Sequence, residues 1–340
     1  MLDITATKLN NILEIMPIIC EEFILFMSYH KEKQNHALIK LQKEVALDNS
    51  KFAKNARIAN FFWMGELTNY ELANVSSFVK NGFEVKVWTY DSNIDFRHLN
   101  DRVEIMNAGL ILEKELLTKF KQGNQKSNLS SFSNVFRYEL LKKYDGWWFD
   151  MDCICMKDVE YFANLVDEHD FVVGRERDNY TGSSVLFFKD KDLLNEILIN
   201  TWNIIERNNY SFFWGEIGPD LISEIILNKK LMHKTLCPDY FYKISASEFY
   251  LFFTNLLNQA EAKKINLDNS YIVHTWNEMF KRNFVNKKKL PPKNSFLYEH
   301  INNSLSRPLI VNTYSSLFNI RFSKYVGFFV KVLFRLKIYI

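Results

Sequence analysis

Residues 58–63 (IANFFW) form a short apolar block closed by Gly65, and residues 83–90 (FEVKVWTY) alternate apolar with polar positions. The block predicts a buried strand and the alternation a strand covered on one face. Between them, residues 68–80 space their apolar side chains as a helix does, with Thr68 as N-cap, Glu71 three positions on and Gly82 as the stop. Strand, helix and strand make a β-α-β unit. A second helix over 132–144 and a strand over 147–149 continue the alternation. The pattern therefore predicts an α/β fold with a single doubly wound, mainly parallel sheet that takes its ligands at the carboxyl ends of the strands.

The flanks read differently. Residues 12–27 have helix-like apolar spacing interrupted by Glu14, Glu21 and Glu22, with Pro17 set to kink or restart the helix, and residues 29–55 are polar and lack Gly and Pro. A helical extension over 1–56, packed on the domain or against another subunit, is expected. Residues 108–131 are polar and lysine-rich and read as a surface excursion. Strands are expected at 171–173 and 184–188, separated by the charged segment 175–181, and helices at 191–206 and 221–227, the latter after a loop, WGEIGPD, whose glycines and proline supply turn chemistry. The segment YIVHTWNEMF predicts a strand with His274 at its end. Residues 281–293 are basic, hold Pro291 and Pro292, and read as a linker leaving a core domain at 57–285. The rest, 286–340, ends in an amphipathic stretch over 317–340 with Arg321, Lys324, Lys331, Arg335 and Lys337 and no acidic residue. That composition suits an anionic membrane surface, a dimer interface or a helix docked on the core.

Composition narrows the choices. The 43 Lys and Arg nearly balance 40 Asp and Glu, and a net charge of +3 over 340 residues is no nucleic-acid footprint. Aromatics make up 16%, with 30 Phe, which points to a densely packed core or to faces that meet lipid or a partner. No run of ~18 consecutive apolar residues occurs, so no membrane span is expected. Four cysteines and no secretory signal at the N-terminus imply a reducing compartment. The expected location is cytoplasmic, peripheral on the inner face of the membrane if the tail binds lipid. Cys153 and Cys155, lacking a second Cys or His pair nearby, read as buried strand cysteines rather than a zinc site.

Candidate chemistry centres on Asp150 and Asp152, which flank Met151 just past the strand 147–149. Hard oxygen ligands at that spacing, at a strand's end, suit Mg²⁺ or Mn²⁺, although a bare D-x-D also fits a solvated turn. Its context is the ordered series SNVFRYELLKKYDGWWFDMD from Ser133 to Asp152, preceded by Phe61, Trp63 and Gly65 and by Thr89, Tyr90 and Asp91, and followed by WGEIGPDLI from Trp214 and by VHTWNEMF from Val273. These motifs, in this order over about residues 57–280, resemble the D-x-D glycosyltransferases of the GT-A fold. The resemblance is to the group that includes α-1,4-galactosyltransferases, yeast initiating α-1,6-mannosyltransferases and many bacterial polysaccharide or lipooligosaccharide enzymes. The chain departs from that pattern at Asp145, where a glycine pair is usual, at Asn134, often Asp, and at Met64.

The resemblance implies a GT-A-like, Rossmann-type sheet and a role for each matching residue. Asp150 and Asp152 would hold a divalent cation, Mn²⁺ or Mg²⁺, with His274 as a further ligand; without the resemblance, His274 reads first as a hydrogen-bonded structural residue. Trp63, Gly65, Tyr90, Asp91, Asn134, Arg137, Tyr138 and Asp150 would bind a nucleotide-sugar donor, a UDP-sugar foremost. Arg137 reads alternatively as a helix salt bridge, and each of the aromatics as core. Glu216 and Asp220 would stand on the acceptor side near the reacting carbon. The implied reaction is retaining transfer of a hexose or N-acetylhexosamine to a surface polysaccharide or lipooligosaccharide acceptor. A metal-dependent nucleotidyl- or phosphotransferase and a non-catalytic glycan-binding module are the rival readings.

Overall fold

A computed structural model of the chain describes residues 55–306 and 312–314, apart from 92, 95, 97–101, 122–127, 190, 257–261 and 264. Backbone contacts divide the chain into 1–52 and 53–340, and all described residues belong to the second unit. The expected helical extension, save its last two residues, and the basic amphipathic stretch at 317–340 lie outside the described residues.

Six strands form the main sheet in the order β3-β2-β1-β4-β7-β6. β1 (Ile58–Phe62), β2 (Glu84–Thr89), β3 (Val103–Asn107) and β4 (Trp147–Phe149) run parallel, while β7 (Tyr180–Phe188) and β6 (Phe171–Arg177) add an antiparallel edge. The strand period of two sends alternate aromatics to opposite faces. Phe61, Trp147 and Phe149 meet Phe78 of α1 (Asn69–Lys80) and Phe162 of α3 (Val159–Glu168), with Phe61 and Phe78 ring centres 4.9 Å apart. On the other face Phe62, Trp88 and Trp148 meet α2 (Leu129–Lys143), and Phe62 stacks on Phe136 at 4.4 Å. α4 (Lys191–Arg207) and α5 (Pro219–Asn228) cover the rest of that face. The aromatic excess is therefore spent largely on a two-sided core, as expected for a sheet buried on both faces.

Local signals placed several elements well. Thr68 caps α1 as expected: Glu71 Oε2 accepts from the Thr68 amide at 3.0 Å and the Thr68 side chain accepts from the amide of Tyr70. The stop before β4 is Gly146 at φ 112°, where a Cβ would come within 2.9 Å of the Ile58 carbonyl and the Asn60 amide nitrogen.

Other elements depart from expectation. β3 carries one fully buried side chain, Val103, and owes its place to its register on β2 (Val85 opposite Val103) rather than to a strong pattern of its own. The charged segment 175–181 is not a spacer: it forms the tip of the β6–β7 hairpin, turning at Asn179 with φ 56°. Register irregularities beside Arg175 break the period of two there, which hid the strands. The 108–131 excursion is anchored by Phe120, fully buried against Phe132 and Phe212. Besides the main sheet, β5 (Cys153–Cys155) and β8 (Ile272–His274) pair antiparallel as a second, two-stranded sheet. Both β5 cysteines are buried strand residues, as read from sequence.

Beyond α6 (Pro238–Phe241) and α7 (Asn277–Arg282), the chain returns to the core in α8 (Phe296–Ser304). Residues 286–305, read from sequence as the start of a linker and tail, dock on α1: Ser76 Oγ donates to the Ser304 carbonyl at 2.9 Å, and His300 Nε2 lies 3.1 Å from Asn74 Oδ1. Asn74 in turn donates to the carbonyl of Met151, between the two aspartates, at 3.0 Å. Among the described residues no helix is long and apolar enough to cross a membrane.

Burial, assisted by the Lys80 ammonium, pushes the pKa of His300 down to about 3. Unfolding between that value and the ordinary one near 6.5 takes up a proton, so the α8 contact is fully stabilising above about pH 6.5 and weakens as the pH falls towards 3. Urea unfolding followed from pH 7 to pH 4 should show a stability loss whose slope corresponds to about one proton, and His300→Gln should remove that component.

Candidate active site

The two aspartates sit at the joint between the sheets. β4 ends at Phe149, a turn carries Met151 and Asp152, and β5 begins at Cys153. The joint is pinned by the Asp150 amide donating to Ser184 O at 2.8 Å and by the Cys153 amide donating to Asp150 O at 3.0 Å. Asp150 and Asp152 line one cleft of about 1130 Å³, together with Trp63, Arg137, Phe213, Trp214, Lys281 and Lys287 among others.

Their carboxylates turn to different partners. Asp150 Oδ1 accepts from Trp148 Nε1 at 2.9 Å and from Arg137 Nη2 at 3.1 Å. Arg137 is buried; it also donates to Ser133 O, Ser133 Oγ and Ser183 Oγ and to the Ser183 carbonyl, and its guanidinium lies 4.9 Å from the Trp148 ring centre. Of the two earlier readings of Arg137, a surface helix bridge is excluded by this burial, and the guanidinium is fixed as a partner of Asp150 at the cleft wall.

Asp152 faces the second sheet. His274 Nε2 lies 3.1 Å from Asp152 Oδ1 and 3.1 Å from Ser184 Oγ, and the Asn277 amide donates to Asp152 Oδ2 at 2.7 Å. Burial alone would raise the Asp152 pKa, but the His274 imidazole and the Asn277 amide outweigh it and hold the carboxyl below the usual range. His274 mirrors this: burial opposes its charge, while Asp152 foremost, with Asp150 and Glu176, draws its pKa up. Cys153 Sγ completes a cluster in which one ligand atom of each of Asp152, Cys153 and His274 lies within 4.8 Å of the others. Burial and the two aspartates push the pKa of the Cys153 thiol well up. His274 Nδ1 is buried without a partner among the described residues.

Of the other residues named from sequence, Trp63 lines the cleft, and its indole donates to Gly65 O at 3.1 Å, where the chain turns at φ 110°. The rest stand outside the cleft lining. Tyr90 donates to Leu112 O at 2.6 Å, and Asp91 accepts from the Asn93 amide at 2.9 Å. Tyr138 is core: its hydroxyl, with a pKa raised by burial, donates to Ile217 O at 3.3 Å. Asn134 is buried under Gly218. Glu216 and Asp220 brace the loop they belong to. Glu216 accepts from the Phe213 amide at 2.9 Å and from Asn208 at 2.6 Å, while Asp220 accepts from the Tyr180 hydroxyl at 2.7 Å. What this rigid loop presents is Phe213, 83% exposed, and Trp214, 47% exposed, at the cleft's rim. Sequence reasoning passed over Phe213, Asn277 and the cleft lysines; a basic run directly after the HTW element was the available signal for the lysines.

Residues 204–305, under a third of the chain, match the alpha 1,4-glycosyltransferase conserved region, a span that holds the braced loop, His274 and the cleft lysines and lies wholly downstream of the D-x-D. Among solved structures, the PaToxG glycosyltransferase is similar with 14% identity and a TM-score of 0.37, covering 68% of this chain and 97% of its own. Mouse xyloside xylosyltransferase 1, in its apo form, is similar with 12% identity and a TM-score of 0.40, covering 64% of this chain and 96% of its own. Comparison with curated proteins gave no match.

The loop's rigidity rests on Gly215, where φ is 90° and an added Cβ would lie 2.7 Å from Asp220 Oδ2. Gly215→Ala should therefore cost about 1–3 kcal/mol of stability, read from the urea midpoint, through left-handed strain and the displaced carboxylate.

Proposed function

We propose that this chain is a glycosyltransferase that moves a hexose or N-acetylhexosamine from a nucleoside diphosphate sugar, a UDP-sugar foremost, to a growing surface polysaccharide or lipooligosaccharide, retaining anomeric configuration and using a divalent cation. The observation that carries the reading is the convergence of Asp150 and Asp152 on one cleft with Trp63 and the exposed pair Phe213 and Trp214.

The donor set fits a hard divalent cation. Asp152 Oδ1 and His274 Nε2 are 3.1 Å apart, close to the roughly 3 Å expected of adjacent ligands at ~2.1 Å in an octahedral shell. The cluster offers carboxylate oxygen and imidazole nitrogen beside the Cys153 sulfur, and its oxygen and nitrogen ligands suit Mn²⁺ or Mg²⁺. Asp152 and His274 would hold the ion, with Asp150 beside them. Bound there, it would supply positive charge to the diphosphate leaving group.

In the same reading Trp63 offers an aromatic face to the nucleotide base, with Tyr90 and Asp91 at the end of the neighbouring strand supporting that side. Arg137 holds the Asp150 carboxylate in place at the cleft. Asn134 and Tyr138 support the acceptor loop from beneath, and Glu216 and Asp220 hold it in shape. Phe213 and Trp214 give flat apolar surfaces against which the CH face of an acceptor sugar can lie. The catalytic domain, read from sequence as 57–285, is proposed to run on to residue 305, since Lys287 and Lys288 line the cleft and α8 docks on α1, with the extension and basic tail serving attachment to a second subunit or to the inner membrane face.

A screen of nucleotide sugars should find Mn²⁺-dependent release of nucleoside diphosphate that chelation abolishes and Asp152→Ala lowers at least a hundredfold. Phosphate or nucleotide appearing on the product instead would favour the phosphotransferase reading. Replacing both Phe213 and Trp214 by Ala should raise the acceptor KM about tenfold, the loss of roughly 1.4 kcal/mol of stacking, with the donor KM little altered. Equal effects on both would place the pair on the donor side.

A further inference from the structure

His274 makes one contact for which a cation ligand has no room. Its Nε2 lies 3.1 Å from Asp152 Oδ1 and also 3.1 Å from Ser184 Oγ. An imidazole nitrogen that coordinates a cation has neither a lone pair nor a proton left for a hydroxyl. Ser184 is buried, so a cation on His274 strands its side chain unless a second partner is at hand.

Tyr242, directly after α6, is placed to be that partner. Its ring stands nearly perpendicular to the imidazole, with centres 5.8 Å apart, and is let in against β6 and β7 by two glycines. A Cβ on Gly182 would overlap the Tyr242 hydroxyl, and one on Gly174 would lie 2.5 Å from Phe241 Cδ2 and 3.1 Å from Tyr242 Cε2. Neither glycine has a positive φ, so what each contributes is room. Along β7 the contacts alternate: Gly182 backs Tyr242, Ser183 meets Arg137, and Ser184 meets His274. The phenol therefore lies on the face of β7 that carries Ser184. Burial foremost, then the Glu176 carboxylate, raises its pKa, and the Ser184 side chain pulls the other way. Yet the hydroxyl, buried, has no hydrogen-bond partner among the described residues. A phenylalanine would fill the same slot without an unsatisfied donor.

We propose that Tyr242 is a positioning residue for His274, its hydroxyl taking over Ser184 when His274 Nε2 holds a cation. The proposal rests on the metal-dependent glycosyl-transfer reading above. In the cation-free chain Ser184 stays with His274 and the phenol is unbonded. Once Nε2 is occupied, the Tyr242 O–H donates to Ser184 Oγ, so the buried serine keeps a hydrogen bond in each state. Tyr242 and Trp276, both nearly perpendicular to the imidazole, hold its plane through the exchange.

The test titrates Mn²⁺ into the full chain, alone and with UDP, and reads free Mn²⁺ from its electron paramagnetic resonance signal. Tyr242→Phe should weaken Mn²⁺ binding about tenfold, the lower end of what a partner behind a metal ligand contributes. The same variant should leave the thermal stability of the cation-free chain no lower than that of the wild type, since the hydroxyl bonds nothing there. Ser184→Ala loses its bond in both states and should bind Mn²⁺ about as tightly as the wild type. In that background Tyr242→Phe should cost nothing further. Unaltered Mn²⁺ affinity in Tyr242→Phe overturns the proposal, and so does an equal loss with Ser184 already removed, which would mean that the hydroxyl acts on another group. Lower cation-free stability in Tyr242→Phe overturns it as well, as does weaker Mn²⁺ binding in Ser184→Ala alone. If the wild type binds no Mn²⁺ with or without UDP, the metal-dependent reading itself fails and the proposal falls with it, an outcome distinct from the others.

Discussion

The contact between Asp152 and His274 across the start of β5 and the end of β8 is the constraint on which the site's other distances depend. It draws a carboxylate and an imidazole together inside largely buried surroundings, at 3.1 Å, where removing one partner of such a pair costs about 3–5 kcal/mol because the other is left uncompensated. Backbone bonds hold the pair in register: Thr275 donates twice to the Asp152 carbonyl, each at 2.9 Å, and Asn277 donates to its carboxylate. A histidine held by its partner carboxylate in this way is also one whose nitrogen is already beside the oxygen with which it would share a cation. The geometry that stabilises the metal-free protein is thus close to the geometry the chemistry would use.

The same economy shows in Arg137. Its guanidinium is spent on Ser133, Ser183 and Asp150 and lies over Trp148, so most of its donors are fixed inside the protein. It fixes the Asp150 carboxylate at the mouth of β4 through the 3.1 Å contact of Nη2 with Oδ1. The two aspartates of a D-x-D, one residue apart in sequence, are therefore controlled by different halves of the fold, Asp150 by α2 and the main sheet and Asp152 by the second sheet.

Much of the frame was legible because local signals agreed with tertiary need. The Thr68 and Glu71 cap, the Gly146 turn and the all-aromatic β4 each announce themselves within a few residues, and His274 at a strand end follows from the apolar run before it. What escaped depends on partners far along the chain. β3 shows a weak pattern and is a strand because β2 offers it a free edge. Phe120 looked like one apolar residue in a polar excursion and is buried because Phe132 and Phe212 converge on it. Glu216 and Asp220 were read as chemistry from their place in a motif, and their hydrogen bonds show loop braces. Lys287 belonged to a run whose prolines and charges describe a linker equally well.

The walls of the cleft come from segments that meet only late in the chain's course. The six-stranded sheet closes within residues 58–188, and its parallel core can form from contacts inside that span. The site cannot, since Asp152 waits for Asn277, 125 residues on, and Glu71 for Lys287, 216 residues on. Bringing such distant pairs together carries a loop-closure cost that grows slowly with length and is met only when the contact itself is strong. Charged, buried and doubly hydrogen-bonded contacts meet that condition where apolar ones of the same size would compete with every other aromatic surface in this chain. The polarity of the ties between the sheet and residues 272–288 is thus what lets them find one register beside a core rich in Phe, Tyr and Trp.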